Sequence, residues 1–330
     1  MRGPPLLEPI VGQSAAIRRA RDLIERYAPT PIPFLLVGAT GTGKELIARH
    51  LHALSTRRGR FVAVNCGALP REIAEGLLFG YERGAFSGAV RRHRGHIECA
   101  DEGTLFLDEL LSLPPDGQAM LLRALDTGEI QRLGEETERR IDVRVIGAVQ
   151  DDQEERLARG AFRRDLYQRL AGVVLELPPL AERMEDVLPL AEYFATQRGQ
   201  RLEAGTSQEL MTYGWPGNVR ELRQVIERAG QLVENGTLPA VAVAEAIALG
   251  RATCHATDGE RERLLALGGA HDWDVHTLAT AFGMGRTRFY KWLKDRGIRL
   301  RDLKREGSAD VRGYPRTAVS TGSPRPHNSL

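Results

Sequence analysis

Three observations predict an α/β protein built on a parallel sheet, followed by a small helical lid and a basic all-α C-terminal domain. The apolar run Phe34-Leu35-Leu36-Val37 leads directly into Gly38-Ala39-Thr40-Gly41-Thr42-Gly43-Lys44, and Leu46 and Ile47 follow. A second run, Thr104-Leu105-Phe106-Leu107, ends in Asp108-Glu109. The stretch from Arg286 to Arg305 carries Arg286, Arg288, Lys291, Lys294, Arg296, Arg299, Arg301, Lys304 and Arg305 against Asp295 and Asp302. The first pattern is a buried strand, a glycine loop and a helix start in register. The second is a buried parallel strand with acid at its C-terminal edge, where open α/β sheets place ligands. The third points to a polyanionic partner.

The glycine loop has the G-x-x-x-x-G-K spacing that binds nucleoside triphosphates. Its glycines let successive N–H groups face phosphate oxygens, and the helix N-terminus adds positive partial charge. Lys44 supplies a point charge for the outer phosphates. Glu45 stands where many such loops carry Ser or Thr, so Mg²⁺ binding falls more on Thr42, a distant carboxylate and water. Asp108 is the candidate for holding Mg²⁺ through water, and Glu109 for polarising the attacking water as general base. The plainer readings are a glycine turn between any strand and helix, and a strand ending at a solvated acidic turn.

The other elements follow in order. Residues 60–65, 143–149 and 173–177 read as strands, Gln118 to Leu125 as a helix, and Pro178-Pro179 as a hard stop. From Met184 to Leu232 the pattern is wholly helical, interrupted at Tyr213-Gly214-Trp215-Pro216-Gly217-Asn218. Asp274 is a fair N-cap, with Leu278, Ala279 and Phe282 forming an apolar face before Gly283. Arg286 to Lys294 makes a second helix, burying Phe289 and Leu293, in helix-turn-helix spacing. That helix would enter a major groove with Arg286, Thr287, Arg288, Lys291 and Lys294 toward DNA. Gly307 to Leu330, rich in Gly, Ser, Pro and Arg, reads as a disordered tail. The expected divisions are 1–8, 9–178 for the α/β part, 179–248 for the lid, 249–258 as linker, 259–305 for the helix-turn-helix and 306–330 as tail.

Composition narrows the class. At 330 residues and 36.5 kDa there is room for one large domain plus small ones, and 42% hydrophobic content supports a core. No apolar run is long enough to span a bilayer, and Met1-Arg2-Gly3-Pro4-Pro5 lacks the apolar core of a signal peptide. Cys66, Cys99 and Cys254 have no metal-ligand spacing, so a cytoplasmic protein with reduced thiols is expected.

In Gly84-Ala85-Phe86-Ser87-Gly88-Ala89, Gly84 and Gly88 permit a tight reversal that leaves Phe86 and Ser87 near the tip. A Phe there is placed to grip a partner, the alternative being a ring folded back onto its own helix.

Here the resemblance becomes specific. The chain resembles the AAA+ activators of sigma-54 RNA polymerase from about Pro9 to Ala248, and again at the C-terminus. The loop from Gly80 to Ala89 is similar to the family's signature Gly-Ala-Phe-Thr-Gly-Ala loop. Phe162 to Leu170 resembles its arginine-finger helix. Leu177 to Arg183 and Trp215 to Leu222 resemble the entrance and body of its lid, and 274–294 resembles its Fis-type DNA-binding domain.

The resemblance implies that Gly84, Ala85, Phe86, Ser87, Gly88 and Ala89 contact sigma-54. Arg163 and Arg169 would reach a neighbour's γ-phosphate, so an oligomer is implied, most simply a hexameric ring, with DNA-binding domains pairing as dimers. Arg220 would sense phosphate in its own subunit, and Asn65 would couple the catalytic Glu to nucleotide state. The chain departs from the family at Gly147-Ala148-Val149-Gln150, usually Ala-Ala-Thr-Asn, and at Ser87, usually Thr. Barely ten residues precede the ATPase region, so the expectation is regulation by a separate protein, by expression level, or none. The alternative function is a DNA-binding regulator or repressor whose AAA+ domain no longer activates sigma-54.

Overall fold

Five strands assemble into one parallel sheet, whose three inner strands are too apolar to leave either face in water, while the two edge strands keep exposed positions. The computed structural model describes residues 7–150, 157–233, 236–270 and 273–282, with positions 289, 290, 293, 300, 303 and 304 beyond them. The strands are β1 (Phe34–Val37), β2 (Phe61–Asn65), β3 (Thr104–Asp108), β4 (Arg144–Val149) and β5 (Val173–Glu176), in the order β2-β3-β4-β1-β5. Every pairing is parallel, so all C-terminal ends share one edge. Register places Asn65 beside Asp108, and Val37 between Val149 and Glu176.

Alternate side chains build two cores. Leu35, Val37, Leu105, Leu107 and Val145 pack with Phe79, Leu121, Leu166 and Leu170 from helices Ala74–Phe79, Pro115–Thr127 and Arg164–Leu170. Phe34, Leu36, Phe106, Ile146 and Ala148 meet Ile17, Ile24, Ile47 and Leu51 from helices Ala15–Tyr27 and Lys44–Ala53. Each of these Val, Leu, Ile and Phe side chains removed from water contributes about 1.5–3 kcal/mol. Arg144, 1% exposed, donates to the carbonyls of Tyr27, Ala28 and Ile32, capping the end of helix Ala15–Tyr27. Burial, and then the charge of Arg57, pulls this guanidinium down to about 10, which still leaves it charged at neutral pH.

The lid contains helices Val187–Thr196, Thr206–Thr212 and Asn218–Ala229. It is not wholly helical as expected: Arg201–Leu202 pairs in parallel with Thr237–Leu238. A pairing that short carries no periodic signal. Two short antiparallel ladders add to the expected elements, Gly80–Tyr81 with His93–Arg94 and Glu129–Gln131 with Glu138–Arg140. Residues 249–258, expected as a linker, lie inside helix Ala240–Ala270. The chain divides into two compact units, Met1–Ala246 and Ile247–Leu330.

In the second unit Asp274 caps helix Val275–Ala281, its Oδ2 accepting from Thr277 N at 2.9 Å. Leu278, Ala279, Phe289 and Leu293 share a small core. The DNA-contact candidates Arg286, Thr287, Arg288, Lys291 and Lys294 lie outside the described residues.

Candidate nucleotide-binding site

The C-terminal edge of the sheet opens onto a cleft of about 380 Å³. Thr40, Gly41, Thr42, Gly43, Lys44 and Glu45 line one wall, Asn65, Asp108 and Glu109 another, and Val149 and Gln150 the floor. The lid contributes Arg183, Arg220, Leu190 and Phe194, and Ile10 and Val11 close the apolar end. Gly41 and Gly43 have φ of 82° and 108°, a left-handed conformation that turns the loop sharply into helix Lys44–Ala53.

Lys44, 8% exposed, donates from Nζ to Gly38 O at 2.6 Å and Ala39 O at 2.9 Å. Thr42 donates from Oγ1 to Ala39 O at 2.9 Å, which leaves hydroxyl lone pairs for a cation. Glu45 faces the cleft, but its carboxylate accepts from Arg49 at 2.6 Å along the helix. Gln150 reaches Thr40 Oγ1 at 3.5 Å, and Arg220 meets the loop through its backbone N–H, 3.3 Å from Gly41 O.

The acidic pair is set by geometry as well as by sequence. Asp108 Oδ1 accepts from Glu109 N at 3.0 Å, and Glu109 adopts φ of 50°, turning its side chain off the strand. Asn65 Nδ2 donates to Glu109 Oε1 at 3.2 Å, and Asn65 Oδ1 accepts from Ala68 N at 3.0 Å. A Cβ on Gly67 would lie 2.1 Å from Glu109 Oε2, so the glycine leaves room for that carboxylate. Beside them burial, and then the charges of Asp108 and Glu109, pushes the Cys66 thiol up to about 12, so it stays protonated.

Arg163 and Arg169 do not line this cleft. Arg163 lies just before helix Arg164–Leu170 instead of within it, paired with Asp165 at 2.7 Å. The hydrogen bond from Arg163 pulls the Asp165 carboxyl down to about 2. Arg169 donates to Leu125 O at 3.0 Å and pairs with Asp126 at 3.2 Å.

Loop 82–90 is closed by Gly84 N donating to Ala89 O at 2.9 Å, and a Cβ on Gly84 or Gly88 would meet nothing. Ser87 and Gly88 are exposed at its tip. Phe86, expected at the tip, is instead half-buried: its ring folds edge-on against Tyr81, centroids 4.9 Å apart, and reaches toward Gly76. This is close to the folded-back alternative, with Tyr81 as the partner that the sequence pattern does not identify.

The stem is anchored below. Glu82 accepts from Arg132 Nη1 at 2.7 Å, and Arg132 also grips Glu98 with two bonds of 2.7 and 2.6 Å. Burial alone would raise Glu98, but the Arg132 hydrogen bonds prevail and hold its carboxyl below the ordinary range. Arg132 is 2% exposed and reads in the sequence as an ordinary surface arginine.

Fold and cleft together define a P-loop nucleotide-binding domain with a helical lid. Comparisons with known proteins give the family. The Sigma-54 interaction domain matches residues 10–176, and the AAA+ ATPase lid domain matches residues 181–259. The chain is 41% identical over 305 residues to the C4-dicarboxylate transport transcriptional regulatory protein DctD of Rhizobium meliloti, covering 89% of this chain and 65% of that protein. It is 50% identical over 228 residues to the nitric oxide reductase transcription regulator NorR2 of Cupriavidus necator, covering 67% of this chain and 44% of that one. Among solved structures, NtrX from Brucella abortus in complex with ATP superposes with a TM-score of 0.65 at 32% identity, over 88% of this chain and 70% of that one. The chain belongs to the AAA+ sigma-54-dependent transcriptional regulators.

Proposed function

We propose that this chain hydrolyses ATP in a ring of like subunits and uses the cycle to remodel sigma-54 RNA polymerase at a promoter, while its C-terminal domain binds upstream DNA. The observation that carries this reading is the physical line from cleft to loop. Strand β3 bears Asp108 at one end, the helix His96–Cys99 precedes its other end, and Glu98 of that helix holds the loop stem through Arg132. Movement of the acidic pair therefore has a packed route to residues 82–90.

Within the cleft, loop N–H groups and Lys44 bind and orient the phosphates. Glu109, steered by Asn65, takes the proton of the attacking water. The oxygens of Asp108 and Thr42 suit a hard cation held by one or two carboxylates and phosphate oxygens. Among the described residues no cluster of three or more His, Cys, Asp or Glu holds a metal alone. Mg²⁺, when bound there, neutralises phosphate charge. Arg163 and Arg169, which do not line their own cleft, serve the site of an adjacent subunit. Phe86 leaves Tyr81 to engage sigma-54, and the exposed Ser87 leads that contact. The relatives' names, regulators of transport and of nitric oxide reductase transcription, support a role in transcription.

The test is open-complex formation at a sigma-54 promoter with purified polymerase. Opening with ATP and none with a non-hydrolysable analogue is expected. DNA binding and ATP turnover without opening would move the chain to the regulator or repressor reading.

A further inference from the structure

The phosphate loop is held from behind by the lid. Asn218 Nδ2 donates to Thr40 O at 3.0 Å, the backbone N–H of Arg220 donates to Gly41 O at 3.3 Å, and Arg183 Nη2 donates to Thr42 O at 2.9 Å. Three successive carbonyls of the loop thus meet three donors from the lid or its entrance. Neighbouring N–H and C=O groups in such a loop face opposite sides, so fixing the carbonyls outward aims the N–H groups at the phosphates.

The donors are themselves immobilised. Asn218 is 3% exposed, and its Oδ1 accepts from Leu180 N at 2.7 Å. Its φ of 56° is left-handed, a conformation asparagine tolerates better than most residues. The preceding turn is locked by Glu221, which accepts from Gly217 N and from the Tyr213 hydroxyl, each at 2.7 Å. Arg183, 2% exposed, also donates to Pro178 O at 3.1 Å and lies 3.6 Å from Asp186. A Cβ on Gly41 would sit 2.5 Å from Gly217 O, so the lid backbone rests where any side chain would separate it from the loop.

We infer that Asn218 and Arg183 are positioning residues for phosphate: the lid clamps the carbonyls of Thr40, Gly41 and Thr42 and so sets the aim of the phosphate-binding amides. The inference rests on the nucleotide reading of the cleft. Linkage makes the effect reciprocal: phosphates that draw the amides inward tighten the lid, and a displaced lid loosens the phosphates. None of the three bonds touches Ile10, Val11, Leu190 or Phe194 at the apolar end, which supplies an internal reference.

The experiment compares equilibrium binding of ATP, ADP and adenosine to the full chain and to variants. Asn218→Asp keeps the shape, the left-handed tolerance and the acceptor for Leu180, but sets a carboxylate oxygen against Thr40 O. It should weaken ATP and ADP ten-fold or more and leave adenosine within two-fold. Arg183→Gln should act in the same sense, and Arg183→Lys should recover part of the loss. Thermal unfolding checks that each variant folds, and the Arg183 pair decides the matter if Asn218→Asp does not. Equal losses for ATP and adenosine would reduce these residues to general supports of the lid, and no loss for either would remove the clamp. A parent chain that binds neither ATP nor ADP would overturn the nucleotide reading itself, and the clamp with it.

Discussion

Replacing Asp186 with Ala should destabilise the first unit by an amount readable from its contacts. The residue is 0% exposed, and its carboxylate accepts from Gln13 N at 2.6 Å, Ser14 N at 2.7 Å and Ser14 Oγ at 2.6 Å. The substitution strands those donors and removes the acid facing the buried Arg183. Removing one member of a buried ion pair costs about 3–5 kcal/mol. Arg183 keeps its bonds to Pro178 O and Thr42 O, which favours the lower half of that range, about 3–4 kcal/mol. A domain of this size loses about 2–4 °C in Tm per kcal/mol, so a fall of about 6–16 °C is expected. Differential scanning calorimetry of the full chain is the assay, with Asp186→Asn as a shape-preserving control that should lose less. A fall below about 2 °C for the Ala variant would show that these bonds add nothing over water, refuting the reasoning.

Other outcomes follow from the same geometry. Glu98→Gln should lower Tm most near neutral pH. Because Glu98 is held below its ordinary value of about 4.3, its stabilisation is complete above that pH and vanishes as pH falls through the lower folded value. The Tm gap between parent and variant, measured from pH 7 downward, should therefore close in acid. Glu109→Gln should lower kcat by about 10²–10⁴-fold with nucleotide binding retained, read by steady-state ATPase and direct titration. ATP turnover per subunit should rise with protein concentration, and mixing Arg169→Ala with Lys44→Ala chains should restore part of the activity; strictly additive rates would contradict a shared site. Specific DNA binding should weaken steeply with added salt, and salt-independent binding would remove Arg286 to Lys294 from the phosphate contacts.

The parts of the site legible in the sequence are those whose chemistry is local. The loop from Gly38 to Lys44 and the strand ending in Asp108-Glu109 each carry strand, turn and functional group in one short stretch. Asn65 follows from the family resemblance alone, and strand register sets it beside Asp108. What the sequence hid depends on distant partners. Arg132, Arg144 and Arg183 look like solvent-facing arginines until the fold brings carboxylates or orphan carbonyls to them. Glu129 to Arg140 is so charged that it carries no strand signal, although its ends pair in a ladder and Arg132, just after the first strand, is buried. A folded-back Phe86 is one of the two readings the loop's sequence allows, but Tyr81 as its partner comes from the reversal that brings the two rings together.

The measurement that tests the central claim most directly pairs two readouts on Phe86→Ala: ATP turnover and ATP-dependent opening of a sigma-54 promoter complex. The ring lies outside the nucleotide cleft, against Tyr81. Turnover should stay within about two-fold of the parent while opening is lost, because an aromatic anchor carries a large share of such a contact's energy. Opening by Phe86→Ala equal to that of the parent would contradict the claim that this loop delivers the ATPase cycle to sigma-54.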